Sequence, residues 1–145
     1  MDSIFTKIIC NEIPGTFIYR DEQVVAFFDI SPLAYGHTLV VPVEQVDRWT
    51  DLSPELWQHL TEVAQIIGQA VIAVCGSARA GEVIAGFDVP HTHIHVFPAN
   101  SLADYNFANQ IAPDAVDQER FAETAAAMRK YLGTDDNGFR RADNC

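Results

Sequence analysis

Basic residues are scarce in this chain. Nine Lys and Arg stand against twenty Asp and Glu, which gives a formal net charge of −11 over 145 residues, spread along the sequence rather than gathered in one block. Gripping a nucleic-acid backbone needs a basic face, so nucleic acid is not an expected partner, although one pocket can still hold a small phosphorylated ligand. Long apolar runs are missing as well. None approaches the roughly 20 residues that span a bilayer, so no membrane partner is expected. The opening "MDSIFTKIIC" lacks the basic-then-apolar pattern and cleavage site of a secretory leader. Cysteines are few: Cys10, Cys75 and Cys145 are odd in number, far apart and without a CxxC neighbour. That predicts reduced thiols and a cytoplasmic protein, not a disulfide framework. Repeats and low-complexity linkers are absent. What the chain does have is 48% hydrophobic residues in the length of one domain, enough to build a core.

Helix and strand signals alternate along it. "SIFTKIICNEIPG" reads as a short helix ending before Pro14-Gly15. "TFIYRDEQVVAFFDI" holds two strands turned at Arg20-Asp21-Glu22, and "HTLVVP" is a third, stopped by Pro42. Ser53 reads as an N-cap with Pro54 at the first helical position. Beyond it Leu56, Leu60, Val63, Ile67, Ala70, Val71 and Val74 recur at helical spacing, up to Gly76. "GEVIAGF" and "HTHIHVF" predict two more strands. "DAVDQERFAETAAAMRKYLG" predicts a second long helix, with acids early and Arg129-Lys130 late, as the helix dipole prefers. The expected fold is α+β: an antiparallel sheet of about five strands with two main helices, in one domain over residues 1–133. Residues 134–145 are polar and expected to form a flexible tail.

Three of the five histidines fall within five residues, in "HTHIHVF". On a strand, His91, His93, His95 and Phe97 share one face, and Thr92, Ile94 and Val96 take the other. The imidazole roots would stand about 7 Å apart. Three readings of that row compete: an exposed polar face, a metal site of alternating ligands, or a phosphate site. In the last, one neutral imidazole is the nucleophile and its neighbours bind phosphate and carry protons.

The pattern HxHxHxx with apolar spacers resembles the signature of the histidine triad (HIT) superfamily, with Thr92 a departure at the first spacer. The stretch "IFTKIICNEIPGTFIYRDEQVVAFFDISPLAYGHTLVVP" is similar to the family's N-terminal half, and the likeness covers roughly residues 3 to 98. It implies a HIT-like fold and, in the nucleoside phosphoramidase-like branch, a hydrolase acting at the α-phosphate of purine nucleoside phosphoramidates or related adenylates. His93 would attack phosphorus to form a covalent nucleotidyl-histidine, which water then hydrolyses. His95 would contact the phosphate and help the leaving group, and His91 would order the network. His37 falls at a fourth family histidine, although taken alone it suits a strand edge equally well. The resemblance places Asp29 on the ribose hydroxyls, while a capping role in the "DISP" turn fits it too. It also places Phe5, Ile8, Ile18 and Phe28 around the purine, where apolar residues can equally be plain core. His59 matches nothing in the pattern.

The chain also departs from the family. Many relatives bind structural zinc through CxxC plus two histidines. Here Ser3 and Thr6 stand at the cysteine positions, and "VEQV" replaces the histidine after "VVP". This predicts a zinc-free member with no resident metal and no cofactor. Phe87 stands where Gln is usual, Ala80 where Asn is common and Asp88 where a hydroxyl is frequent. Those changes keep two alternatives open: a dinucleoside polyphosphate hydrolase, and a nucleotide-binding module with little turnover. Transfer of the nucleotide to a sugar phosphate is weaker still, since that branch usually carries proline at the Thr92 spacer. The resemblance further implies a homodimer joined through a helix and a strand.

Overall fold

The backbone follows the α+β plan through residues 1–141, the part described by the computed structural model. Its main elements are α1 (Ile4–Ile9), β1 (Phe17–Arg20), β2 (Val24–Phe28), β3 (Thr38–Pro42), α2 (Pro54–Cys75), β4 (Arg79–Val83), β5 (Ile94–Ala99) and α3 (Gln118–Leu132). The five strands form one antiparallel sheet in the order β1-β2-β3-β5-β4. The caps of α2 lie where the sequence puts them. Ser53 accepts a hydrogen bond from the Leu56 amide, and Gly76 closes the helix at φ 66°. The predicted apolar stripe is buried from Leu56 to Val71, and Val74 is half-buried at its end.

Side-chain alternation sorts the sheet into two cores. Val24, Ala26, Phe28, Val40, Ile94 and Val96 pack with α2 and α3 on one face. Val25, Phe27, Leu39 and Val41 pack with Phe5 and Ile9 of α1 on the other. Both faces are covered, so β2 reads as an unbroken apolar run and β3 as one after Thr38.

Three boundaries differ from the sequence reading. The fourth strand spans 79–83 instead of 81–87, because pairing with β5 runs only from Arg79↔Ala99 to Val83↔His95. Gly86, at φ 78°, then turns the chain into a loop. The fifth strand begins at Ile94, not His91. Residues 91–93 are held outside the sheet, with the His91 amide on the Val89 carbonyl and the Thr92 amide and hydroxyl on the Val46 carbonyl. The second long helix starts at Gln118, because Asp117 caps it by accepting from the Arg120 amide.

Residues 134–141 fold back onto β1 instead of trailing away. Thr134 is buried and its hydroxyl donates to the Ile18 carbonyl at 2.7 Å. The Arg20 amide donates to the Gly138 carbonyl, and the Arg20 guanidinium lies over the Phe139 ring at 4.9 Å. The rest of the predicted tail, with Cys145, lies outside the described residues. Among those residues, no helix is long and apolar enough to cross a membrane.

Candidate active site

The turn after β2 brings His37 to the triad. Gly36 adopts φ 104°, a conformation that L side chains rarely take, and Cys75 crowds the place of any added side chain. His37 and His95 then meet across the β3–β5 pairing, their rings 5.2 Å apart. His93 follows at 5.0 Å from His95. All four imidazoles are buried.

Hydrogen-bond partners fix the tautomer of each ring. The Leu33 amide donates to His37 Nδ1 at 2.9 Å, so the proton of His37 sits on Nε2. That Nε2–H donates to His95 Nδ1 at 2.9 Å, which leaves the His95 proton on Nε2. His93 Nδ1 faces the His91 carbonyl at 2.7 Å and must donate to it, so His93 Nε2 carries a free lone pair. His91 Nε2 donates to the Pro42 carbonyl at 2.7 Å, and its Nδ1 accepts from the Ser3 hydroxyl at 2.7 Å. The row thus sets a bare nitrogen on His93 beside an N–H on His95.

Electrostatics keep the row neutral. Burial, then the neighbouring His95, pulls His37 down to about 3. Burial, then His93, pulls His95 down to about 4. Burial also lowers His91 and His93, against the opposing pull of the Pro42 and His91 carbonyls. Asp88 lies near enough to His93 to favour its charged form slightly. Burial raises Asp29, against the opposing effect of the Ser31 amide on its carboxylate.

A cavity of about 500 Å³ opens onto His93 and His95, a size that suits a small ligand. Phe5, Asp29 and Leu39 line it with the loop residues Ala85 to Val89, and Phe107 and Gln110 close it from the far side. Phe5 meets the His93 ring edge-to-face at 4.8 Å. Asp29 caps the turn, one oxygen accepting from the Ser31 amide, and its carboxylate borders the cavity 3.8 Å from His37 Nε2.

The structure brings together His37, His91, His93, His95, Asp29 and Phe5. It does not bring Ile8, Ile18 or Phe28 to the cavity. Ile18 is fully buried in the α2-side core, and Phe28 lies in that core with its ring 5.2 Å from Phe121. Ile8 packs on the α1-side core near Gly15. Strand parity sends Ile18 and Phe28 away from the histidines. The same parity, followed from His37, points to Leu39, which the sequence reading missed; it also missed Phe107 and Gln110. Phe87, 95% exposed, stands at the cavity mouth with Asp88, while Ala80 faces a separate groove against α2.

Asp29, His37 and His95 could in principle share a metal ion, their ligand atoms lying within 4.8 Å of one another. The donor set does not fit one. His37 Nδ1 already accepts from the Leu33 amide, so its Nε2 bears a proton and offers no lone pair. The family's zinc positions converge too, but as hydroxyls and an amide. Ser3, Thr6 and Gln45, the glutamine of "VEQV", gather beside His91 Nδ1.

An α+β sheet that buries a row of four imidazoles, two of them facing a ligand-sized cleft, defines a histidine-triad protein. The HIT domain family model matches residues 10–102, and the chain belongs to that family. It is 38% identical over 104 residues to an uncharacterised HIT-like protein of Borreliella burgdorferi, covering 67% of this chain and 75% of that one. It is 35% identical over 111 residues to the purine nucleoside phosphoramidase of Escherichia coli K12, covering 70% and 90%. A solved zinc-bound histidine triad protein of Mycobacterium smegmatis superposes with a TM-score of 0.77 at 27% identity, over 92% of this chain and 94% of that one.

Proposed function

We propose that the protein hydrolyses purine nucleoside phosphoramidates, or related adenylates, at the α-phosphorus through a nucleotidyl-histidine on His93. The observation that carries this reading is the tautomer row: a free lone pair on His93 Nε2 beside the Nε2–H of His95. The His93 lone pair forms a bond to phosphorus while the phosphorus–nitrogen bond to the leaving amine breaks, its electron pair staying on the amine. One proton joins the amine in that step, and the attacking water releases one in the next. A neutral ring cannot give up Nε2–H without becoming an imidazolate, so solvent supplies the first, and His95 Nε2–H is placed to hydrogen-bond the phosphate and the departing nitrogen. Asp29 would accept the ribose hydroxyls, and Phe5 and Leu39 would flank the purine. No metal takes part. The similarity to the phosphoramidase of Escherichia coli supports the substrate class.

Asp88 favours an amine over a polyphosphate as leaving group. Its carboxylate borders the cavity and acts on His93, so it repels further anionic charge there. Steady-state assay of adenosine phosphoramidate against a dinucleoside polyphosphate should show clear preference for the first, unchanged by a chelator. Faster turnover of the polyphosphate would overturn the choice of substrate. Nucleotide binding without turnover of either would overturn the enzyme reading in favour of a binding module.

The same reading includes a cytoplasmic homodimer. The sheet's two edges differ: residues 134–141 cover β1, and β4 is open among the described residues. Beside β4 lies a groove of about 520 Å³ against α2, a helix that also exposes Ile66 and Ile72. An open strand edge next to exposed apolar side chains is a pairing surface, and a two-fold axis there buries one patch twice. Light scattering should report twice the chain mass. A clean 16.1 kDa particle at micromolar concentration would refute it.

A further inference from the structure

The geometry assigns Ser3 a positioning role: its hydroxyl fixes the tautomer of His91, and through His91 the presentation of the nucleophile. This rests on the reading of His93 as nucleophile. Ser3 and His91 are buried at 6% and 0% exposure, and 2.7 Å separates Oγ from Nδ1. The direction of that bond follows from its surroundings. His91 Nε2 must give its proton to the Pro42 carbonyl, so Nδ1 accepts and Ser3 donates. Thr6 cannot substitute. Its hydroxyl donates to Gln45 Oε1 at 2.8 Å and stands 3.5 Å from His91 Nδ1.

Ser3 is itself held in place. Its oxygen accepts from the Thr6 amide as the cap of α1, and its own amide donates to Gln45 Oε1 at 2.7 Å. Gln45 is aimed in turn by a bond from Nε2 to the Met1 carbonyl. The His91 ring is therefore strung between the start of α1 and the end of β3, with a partner on each nitrogen. The His91 carbonyl takes the Nδ1 proton of His93, so the ring that Ser3 holds belongs to the residue that orients the nucleophile. Phe5, two residues from Ser3 on the same short helix, touches both rings, at 5.9 Å from His91 and 4.8 Å from His93. One hydroxyl thus couples α1, a wall of the cavity, to the catalytic row.

Three variants separate this role from simple helix capping. Ser3→Thr keeps a hydroxyl donor. Ser3→Asp keeps a good cap but its carboxylate can only accept, which reverses the bond and favours a proton on His91 Nδ1. Ser3→Ala removes both functions. Turnover of a purine nucleoside phosphoramidate should stay near the parent value in Ser3→Thr. It should fall about tenfold or more in Ser3→Asp and Ser3→Ala, mostly in kcat, as removal of a ring-orienting partner does at other imidazole sites. Nitrogen-15 spectra should show His91 as a single Nε2–H form in the parent and Ser3→Thr, and protonated at Nδ1 in Ser3→Asp. The acid limb of the kcat profile should move to higher pH in Ser3→Asp. A folded Ser3→Asp protein with parental kcat and parental His91 signals would overturn the assignment. If the parent turns over no phosphoramidate, the function reading fails, and the His91 signals still decide whether Ser3 sets the tautomer.

Discussion

His93→Ala is expected to lower turnover of a purine nucleoside phosphoramidate by several orders of magnitude, while nucleoside monophosphate binding stays within a few-fold. The nucleophile and the nitrogen that forms the intermediate disappear together, so the loss exceeds that for a proton carrier alone. Binding survives because Asp29, Phe5 and Leu39 still border the cavity. His95→Ala should be milder, most of all with substrates whose leaving group needs no proton. Rapid quench with α-phosphate-labelled substrate, followed by mapping of the labelled peptide, checks the assignment. Label on His91 or His95, or normal turnover by His93→Ala, would end it.

Acid is expected to destabilise the fold strongly, starting as the pH drops below about 6.5, where imidazoles of an unfolded chain take up protons. The four buried histidines all have lowered folded-state values, His37 near 3 and His95 near 4. A lowered value means the folded chain binds fewer protons than the unfolded one, so the stabilisation is complete above the unfolded value and is lost as pH falls. His37 and His95 together should cost several kcal/mol by about pH 4. Asp29, raised by burial, works in the opposite direction; Asp21, lowered by its hydrogen bonds from Tyr19, Gln23, Val24 and His59 against the cost of burial, adds to the acid loss. Thermal midpoints between about pH 8 and about pH 4 measure the balance. The slope should lessen in His37→Asn, which has no imidazole to protonate. A midpoint that holds steady down to about pH 4 would contradict neutral burial of the row.

Much of this was legible in the sequence because the signals were local. Ser53, Pro54 and Gly76 delimit α2 by capping chemistry that acts within one turn. Alternation around Ile94 and Val96 marks the core face of β5, and the spacing of His91, His93 and His95 marks the site. Other features depended on distant partners. No local signal says that the Thr92 amide leaves the sheet for the Val46 carbonyl, so the strand start fell three residues early. Ile18 and Phe28 look like slot residues by resemblance, yet the pairing of β1 with β2 and of β2 with β3 decides their face, and it points them into the core shared with α2 and α3. Gln45 is unremarkable in "VEQV" and gains its meaning only where Ser3 and Thr6 meet it.

The return of residues 134–141 to β1 also bears on how the chain is made. Thr134 reaches Ile18 across 116 residues. During synthesis β1 emerges early, but the segment that covers its edge follows only after every other described element. Until then the nascent sheet has both borders open, each a template for a strand of another chain. A ribosome that stops after α3 would release a polypeptide holding every residue of the histidine row but with its first strand unshielded. Such a product should clump or be degraded for want of a border, although its chemistry is intact.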